Sequence, residues 1–356
     1  MTSPTIAMQR LSNQHLQSTT FTTPQEIVSY LGAIQAQDYA MAKWAIGIRL
    51  GVRENTIETA INNGSILRTH ILRPTWHFIS TADIHWLLEL TAPHIKSNNA
   101  SMCRKMELDA KTLTHCNTII EKALAHGGHL TREELMQKLR EKGIITNELR
   151  STLIMMNAEL DGVVCSGYRR GKQFTYTLIP AKTATTKTFI KEEALAKLAS
   201  RYFTGHGPAT IQDFCWWSGL SVTNAKMAIE FIRSAFISEV IGNNTYWFHT
   251  SVGMTAKTQQ TMHLLPAFDE FLVGYKDRSA SLNTTHTPIA ITNNGIFRPL
   301  VIQDGKAIGI WKRTTKKETV IIETQFFTNT DHPQKSALIK AANKYADFLE
   351  LKTIIQ

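Results

Sequence analysis

The chain has 356 residues, a formal net charge of +10, and a composition that is 43% hydrophobic and 19% charged. The length predicts two or three domains, and the composition excludes an acidic solvating protein and a disordered basic tail. The excess positive charge must therefore lie on a folded surface, and a polyanion is the first kind of partner to consider.

Residues 1–115 begin with the signals of a helix. Thr23, Pro24 and Glu26 supply a cap, a proline at the first helical position and a glutamate at the third, just before an apolar run. Further helices are predicted over 38–50 and 54–62, followed by a strand over 66–80. This order fits a winged-helix domain, although more loosely than the two segments that follow.

Residues 116–190 give the clearest pattern. A helix over 117–126 is followed by Thr131 and Glu134, a capping-box pair that begins a second helix, and Thr146 begins a third. The stretch VVCSGYRRGKQFTYTL then predicts a β-hairpin. Three short helices and a hairpin are the elements of a winged helix. Its hairpin tip would present three candidate phosphate ligands, Arg169, Arg170 and Lys172.

Residues 191–262 repeat this order, which indicates an internal repeat. Helices are predicted over EEALAKLASRYF, over 208–220 and over 222–236, and a hairpin follows with its turn at 242–244. Trp216 and Trp217 lie in the second of these helices. They could stack on bases, but neighbouring apolar residues predict that at least one belongs to the core.

Residues 263–356 change to strands. Alternating apolar residues flank an Asp304-Gly305 turn, TVIIETQFF forms a further run, and PQKSALIKAANKYADFLEL predicts a closing helix. We expect a small β-rich domain, a barrel or a sheet with one helix.

Several features are missing from the sequence. The first residues lack the pattern of a signal peptide, and no window of roughly 18 uncharged apolar residues occurs, so we expect a cytoplasmic protein without membrane contact. No phosphate-binding glycine loop, metal-ligand spacing or Ser/His/Asp arrangement is found, so we expect neither a metal nor a nucleotide cofactor. The four cysteines are far apart, which argues against a zinc site or disulfides and predicts buried thiols: Cys103, Cys116, Cys165 and Cys215.

Four segments together carry a family resemblance: RLSNQHL at 10–16, AIQAQD at 33–38, LRTHILRPTWHF at 67–78, and HLLPAFDEFLVGYKDR at 263–278 with the later DGKAIGIW hairpin. They resemble the bacterial winged-helix DNA glycosylases of the AlkZ and YcaQ type. The resemblance implies an α+β fold with three tandem winged-helix domains (1–115, 116–190 and 191–262). A small C-terminal β-barrel-like domain with a terminal helix (263–356) would follow. It also implies a basic concave face for duplex DNA and hydrolysis of the N-glycosidic bond of alkylated purines.

The same resemblance assigns the catalytic residues. The family's signature is Gln-x-Gln in the AlkZ branch and Gln-x-Asp in the YcaQ branch, and this chain has Gln35-Ala36-Gln37. Gln35 and Gln37 are therefore the expected catalytic pair of an AlkZ-like member. The chain departs from the family at Ala36, where a bulkier apolar residue is usual.

The chemistry of glutamine restricts the substrate. An amide has no titratable group near neutral pH, so neither residue can act as a general base. A purine alkylated at N7 already carries positive charge and leaves readily, so aligning a water and stabilising an oxocarbenium-like sugar would suffice.

The spacing of the two glutamines makes a structural demand. On a continuous helix, side chains two residues apart point in opposite directions, so both can converge only if the helix ends near Ile34. Asp38, a good N-cap residue, would then begin the next helix and support the site. The alternative is that both glutamines only cap or solvate a helix end.

The other two motifs supply further candidates. Alternation in LRTHILRPTWHF places Arg73, Thr75 and His77 on one face, where Arg73 and His77 could contact a phosphate or the lesion sugar, and Pro74 predicts an edge strand. In the last motif, Arg278 is a candidate DNA ligand, and Asp269 and Tyr275 could support the site. For Asp269 and Asp277 we favour a structural network around Arg278.

The resulting prediction is a monomeric, monofunctional DNA glycosylase that leaves an abasic site, because no lysine marks a lyase. Its partner would be double-stranded DNA containing alkylated purines, with interstrand crosslinks as a further substrate and the nucleoid as its location. The alternative is a non-catalytic winged-helix DNA-binding protein, such as a transcriptional regulator, in which the glutamines are only structural. A protein-interaction scaffold would need an exposed apolar face that the sequence does not identify.

Overall fold

The computed structural model describes residues 3–182, 187–250, 261–328 and 335–356. The helices are α1 Ser3–Asn13, α2 Pro24–Leu31, α3 Tyr39–Leu50, α4 Glu54–Asn62, α5 Ile84–Lys105, α6 Ala110–Leu124, α7 Arg132–Arg140, α8 Glu148–Leu160, α9 Lys191–Gly205, α10 Ile211–Ser218, α11 Val222–Ile232, α12 Glu270–Val273, α13 Thr287–Ala290 and α14 Lys335–Leu349. The strands are β1 Ile34–Gln35, β2 Ile66–Ile71, β3 Arg73–Ser80, β4 Leu130–Thr131, β5 Val164–Arg170, β6 Gln173–Leu178, β7 Phe236–Ile241, β8 Asn244–His249, β9 Met262–Leu265, β10 Leu300–Gln303, β11 Lys306–Thr315, β12 Thr319–Phe326 and β13 Lys352–Ile355.

Two parts of the chain have the same topology. The first runs α2–β1–α3–α4–β2–β3 with sheet order β1-β3-β2, and the second runs α6–β4–α7–α8–β5–β6 with sheet order β4-β6-β5. A third runs α9–α10–α11–β7–β8, and an isolated bridge between Ala209 and Trp247 takes the place of the short first strand. The helices follow the predicted order in all three parts, and the predicted hairpins follow them in the second and third. The winged-helix interpretation and its domain boundaries remain predictions that this repetition supports.

Local sequence signals begin the helices as expected. Thr23 with Glu26 and Thr131 with Glu134 form complete capping boxes, so both predictions are confirmed. Several boundaries differ from the prediction: α6 begins earlier because Asp109 caps it, and α8 begins after Asn147 rather than at Thr146. Helix α10 begins at Ile211 rather than at 208, and α11 ends at Ile232 rather than at 236. The first two residues of the predicted closing helix, Pro333 and Gln334, lie outside the described residues.

The strand predicted over 66–80 is a hairpin instead. Leu72 adopts a left-handed backbone conformation (φ 61°) and reverses the chain between β2 and β3. The prediction that Pro74 makes this an edge strand is also wrong, because β3 lies in the centre of its sheet. Pro74 is tolerated there because β1 pairs only with His77 and Phe78, farther along β3, so no strand bond to β1 is lost.

Of the two forms expected for the C-terminal domain, a barrel or a sheet with one helix, the strands form an open sheet. The order is β13-β12-β11-β10-β9, and the terminal strand β13, which the sequence analysis missed, pairs in parallel with β12. Helix α14 packs against β9 and against α3 of the first unit.

The hydrophobic cores cross the predicted domain boundaries. One cluster joins residues of α2–α4 to the C-terminal sheet and α14, and the Trp44 indole donates to the carbonyl of Leu264 at 2.7 Å. A second joins the opposite side of the first sheet and the unpredicted helix α5 to α9–α11. The cysteines are free, with three buried and Cys215 partly buried. No helix in the described ranges is long and apolar enough to cross a membrane.

Candidate active site

The Gln-Ala-Gln segment lies between two helices, as its spacing required. Helix α2 ends at Leu31, and Gly32 turns the chain with a positive φ of 85°. Asp38 then caps α3, since its carboxylate accepts from the amide of Met41 at 3.0 Å. The predicted helix break and the N-cap role of Asp38 are both confirmed.

Contacts from three directions hold the backbone of this segment. The Gln35 amide donates to Oε1 of Glu270 at 2.9 Å, and the Ala36 amide donates to the carbonyl of Trp76 at 2.7 Å. The carbonyl of Ala36 accepts from Nε of Arg68 at 3.1 Å. The position of the segment is therefore fixed by residues from β2, β3 and the C-terminal motif.

Arg68 is a site residue that the sequence analysis missed. Its buried guanidinium lies over the rings of Trp76 and Phe174, at 4.5 and 4.6 Å from their centroids, and also donates to Ser166. Burial lowers its pKa to about 10, so it stays charged at neutral pH. Arg68 thus ties the middle of the Gln-Ala-Gln segment to the hairpin of the second unit.

Gln35 is buried and its side-chain oxygen is occupied. Only 6% of the residue is exposed, and Oε1 accepts from Nη2 of Arg73 at 3.0 Å. Burial lowers the pKa of Arg73, while the nearby Glu270 carboxylate raises it. Gln35 is therefore held both at its backbone N–H, by Glu270, and at its side-chain oxygen, by Arg73.

Gln37 differs from Gln35 both in its exposure and in its hydrogen bonding. Its side chain is exposed, and it makes no hydrogen bond to any residue in the described ranges. Its amide is free to bind a water or a ligand. The two predicted catalytic residues thus lie at one strand end, one buried and one on the surface.

An exposed indole lies near Arg73, the residue that contacts Gln35. Trp216 is 40% exposed, and its Nε1 donates to the carbonyl of Val273 at 2.9 Å. The guanidinium carbons of Arg73 and Arg278 lie 5.9 and 5.2 Å from the centre of its ring. Burial lowers the pKa of Arg278 to about 10. Trp217 is fully buried, which confirms that at least one of the two tryptophans belongs to the core.

Glu270 is a second residue that the sequence analysis missed. This fully buried carboxylate accepts from the Gln35 amide through Oε1, and from Nε1 of Trp217 at 2.9 Å and Nε2 of His206 at 3.3 Å through Oε2. Burial raises its pKa, but the hydrogen bond and charge of His206, the charge of Arg73 and the Gln35 amide together bring its pKa below the ordinary value. A glutamate within an apolar run, FDEFLV, was the available signal.

His77 cannot contact DNA in this structure. It is fully buried, its Nδ1 lies 2.9 Å from the carbonyl of Thr75, and its Nε2 has no partner in the described part of the chain. Burial, followed by the charge of Arg73, lowers its pKa to about 3. The prediction that His77 is a DNA ligand is therefore corrected: its neutral ring fills the strand position opposite Gln35.

The predicted hairpin tip brings one arginine to the motif. Arg169 lies over the rings of Tyr39 and Phe174, at 5.4 and 5.5 Å, and so reaches the residue next to Asp38. Arg170 forms an ion pair with Glu134. Lys172 is exposed, with no ion pair to any described residue. Of the three, Lys172 is the one whose charge is fully available to a ligand.

Asp269 and Tyr275 are structural rather than part of a cleft. Asp269 is buried, caps α12 and forms a two-oxygen ion pair with Arg49, both distances being 2.9 Å. The expected network around it exists, but its partner is Arg49 and not Arg278. Tyr275 is fully buried, and its hydroxyl donates to the carbonyl of His206 at 2.7 Å. The described residues contain no group of three or more acidic, histidine or cysteine side chains placed to hold a metal.

Comparison with known proteins gives consistent matches. A family model described as DNA glycosylase AlkZ-like matches residues 28–348. The interstrand DNA cross-link repair glycosylase of Streptomyces sahachiroi is 24% identical over 354 residues, which covers 94% of this chain and 93% of that protein. The solved structure of the Streptomyces sahachiroi DNA glycosylase AlkZ aligns with a TM-score of 0.83 at 20% identity and covers 100% of both chains.

Proposed function

Because this chain belongs to the AlkZ-like DNA glycosylase family, we propose that it hydrolyses the N-glycosidic bond of purines alkylated at N7 in duplex DNA. One observation carries this choice of substrate. At the motif, the side chain that reaches solvent without a partner is the neutral amide of Gln37. Such a site can hold a water but cannot take its proton, so the leaving base must already be activated.

The nearby titratable groups support the same substrate. His77 is buried and stays neutral well below physiological pH, and Glu270 is enclosed by hydrogen-bond donors. The carboxylate of Asp38 is engaged in capping α3. None of these groups is free to protonate an ordinary purine or to remove a proton from water. A cationic N7-alkylpurine needs neither step.

We propose that DNA lies against the exposed side of the motif. Arg278 lies over the exposed ring of Trp216, and Arg169 lies over the ring of Tyr39, the residue that follows Asp38. Together with the exposed Lys172 at the hairpin tip, these arginines supply positive charge for contacts with DNA phosphates. The protein would act as a monomer and leave an abasic site. Because the Streptomyces sahachiroi relative is named as an interstrand DNA cross-link repair glycosylase, crosslinked purines are a further substrate to test.

The test is base release from a duplex with a single 7-methylguanine. Abasic sites are counted by alkaline strand cleavage at fixed enzyme excess, for the wild type and for Gln37→Ala. We expect wild-type cleavage and a loss of about 100-fold in the variant, the typical effect of removing one such polar contact. Lys352→Ala, on the terminal strand β13, is the matched surface control.

The alternative function, a non-catalytic DNA-binding protein, gives a different result. It predicts binding to the same duplex without alkali-labile sites at any enzyme concentration. Equal cleavage by the wild type and Gln37→Ala would retain a glycosylase but reject the assignment of Gln37.

A further inference from the structure

We infer that the two glutamines have opposite hydrogen-bonding roles: Gln35 donates from Nε2 to the alkylated base, and Gln37 accepts from the attacking water. This inference rests on the proposed function. It assigns a substrate contact to Gln35, and it makes Arg73 and Glu270 positioning residues. The atom that faces the side-chain oxygen of Gln35 is Nη2 of Arg73.

Arg73 determines the orientation of the Gln35 amide. A guanidinium has five N–H donors and no acceptor, so only the oxygen of an amide can form a hydrogen bond with it. The contact from Nη2 of Arg73, at 3.0 Å, therefore requires Oε1 on that side and places the NH₂ group on the other. Turning the amide over would set two donors against each other.

Glu270 makes this orientation durable. The described hydrogen-bond partners of the Glu270 carboxylate are all donors: the backbone N–H of Gln35, the Trp217 indole and the His206 ring nitrogen. A buried carboxylate suits three donors, whereas a carboxamide in its place would turn its NH₂ group toward one of them. The negative charge of Glu270 also favours the charged form of Arg73. One carboxylate thus fixes the Gln35 backbone directly and its side chain through Arg73.

The Gln35 NH₂ group is left for a ligand. No described residue accepts from Nε2, and this atom is not among the fully buried side-chain atoms that lack a partner. Although Gln35 is only 6% exposed, the accessible part therefore includes this donor. A desolvated, pre-oriented donor favours an acceptor on which electron density grows during the reaction.

The departing base is such an acceptor. As the bond between C1′ and N9 breaks, its electron pair passes to the purine, which changes from a cation to a neutral base. Water then bonds to C1′ of the oxocarbenium-like sugar, and its proton is lost to solvent. Purine N3 and N9 are both bonded to C4, so the electron pair left on N9 raises the basicity of N3 as the bond breaks. A hydrogen bond from Nε2 of Gln35 to N3 would strengthen in the transition state and raise the rate.

Gln37 is suited to the opposite role. Its exposed amide has no protein partner in the described ranges, so its oxygen can turn toward a water. It lies two residues after Gln35, in the bend between β1 and α3, where its amide oxygen would meet the water that attacks the same C1′. A carboxylate could replace it as an acceptor, whereas a carboxylate could not replace the donor at Gln35.

The decisive experiment compares glutamate at each position. Gln35→Glu would pair with Arg73 and have no N–H to donate, so we expect it to lose about 100-fold in single-turnover rate, as much as Gln35→Ala. Gln37→Glu keeps an acceptor and should exceed Gln37→Ala at least about tenfold. Thermal unfolding of each variant shows whether it is folded. A Gln35→Glu enzyme as fast as wild type would overturn the inference.

A modified substrate tests the contact in the wild-type protein. In 7-methyl-3-deazaguanine a C–H replaces N3, so the rate enhancement over uncatalysed release should fall about tenfold or more for wild type and Gln37→Ala. It should not fall for Gln35→Ala, which has no donor to lose. An equal deaza effect in all three proteins would reject N3 as the acceptor. If the wild type releases no 7-methylguanine at all, the proposed function fails and this inference fails with it.

Discussion

The two glutamines of the Gln-Ala-Gln segment differ in how firmly the protein holds them; Gln35 lies on its buried side and Gln37 on its exposed side. Glu270 accepts a hydrogen bond from the backbone N–H of Gln35, and Arg73 donates one to its side-chain oxygen, within a largely buried group of charges. Gln37, two residues later, is exposed and makes no hydrogen bond to a described residue. The same residue type is thus pre-oriented on one side and adaptable on the other. The comparison indicates that orientation, rather than the amide group itself, would separate the two roles that we infer for these glutamines.

The largest expected effect comes from changing Glu270 on the buried side. Glu270→Gln removes a charge that three donors and Arg73 compensate, and it leaves at least one donor unpaired. We expect the free energy of unfolding to fall by about 3 kcal/mol, measured by urea denaturation. The control is Glu323→Gln, which breaks the exposed pair with Lys312 and should cost less than about 1 kcal/mol. Equal losses of unfolding free energy in the two variants would mean that the buried contacts of Glu270 stabilise the protein no more than an exposed ion pair does.

Two buried histidines, His77 in β3 and His263 in β9, should make the free energy of unfolding depend on pH. Burial lowers the pKa of His77 and of His263 to about 3, against an ordinary value of 6.5. Below pH 6.5 the unfolded chain binds protons that the folded protein excludes, so stability is lost as pH falls from 6.5 toward 3. The slope should be about 1.4 kcal/mol per pH unit for each histidine.

Urea unfolding at pH 7.5, 6.0 and 5.0 measures this slope. His263→Asn should reduce it by removing one of the two groups. A curve that is flat over this range would show that these histidines take up protons in the folded state.

A smaller effect, on activity, separates Arg73 from Arg278. Both lie near the Trp216 ring, but only Arg73 contacts Gln35. Arg73→Leu frees the amide to turn over, and we expect kcat to fall about tenfold, the effect of one lost polar contact, with little change in KM for DNA. Arg278→Leu, the matched control, should affect KM more than kcat. Single-turnover and steady-state rates distinguish the two patterns.

The smallest expected effect lies on the exposed side. Lys172→Ala removes an unpaired charge at the hairpin tip and should weaken binding to duplex DNA by a few-fold. The slope of log affinity against log salt should decrease by about one, measured by fluorescence anisotropy. Arg170→Ala should change the slope less, because Glu134 already pairs with that arginine. Identical slopes for Lys172→Ala and wild type would place DNA elsewhere.

Local signals explain what the sequence could predict. The capping boxes at Thr23 and Thr131 depend on residues three positions apart, and the helix break before Gln37 follows from helical periodicity and from Asp38. The repeated order of helices and hairpins was visible for the same reason. Resemblance, rather than spacing, selected Gln35 and Gln37.

Long-range partners explain what it could not. Glu270 and Gln35 are 235 positions apart, and nothing in either neighbourhood specifies their contact. His77 has the polar alternation of a surface face, yet it is fully buried, and its partner across the β1–β3 pair is Gln35. Helix α5 was missed, although it contributes to the second core, because Pro93 and a polar second half interrupt its apolar pattern. The β2–β3 turn at Leu72 has neither the glycine nor the asparagine that usually marks such a reversal.

The core shared by α2–α4 and the C-terminal sheet has a consequence for how this protein can be divided. Trp44 donates to Leu264, and its ring packs against Tyr345 and Phe348, so the beginning of the chain is completed by its end. A ribosome releases the Gln-Ala-Gln segment long before the residues that enclose it. The unit that carries this segment is therefore assembled only after synthesis is finished, and it cannot be cut out and grafted as a single module.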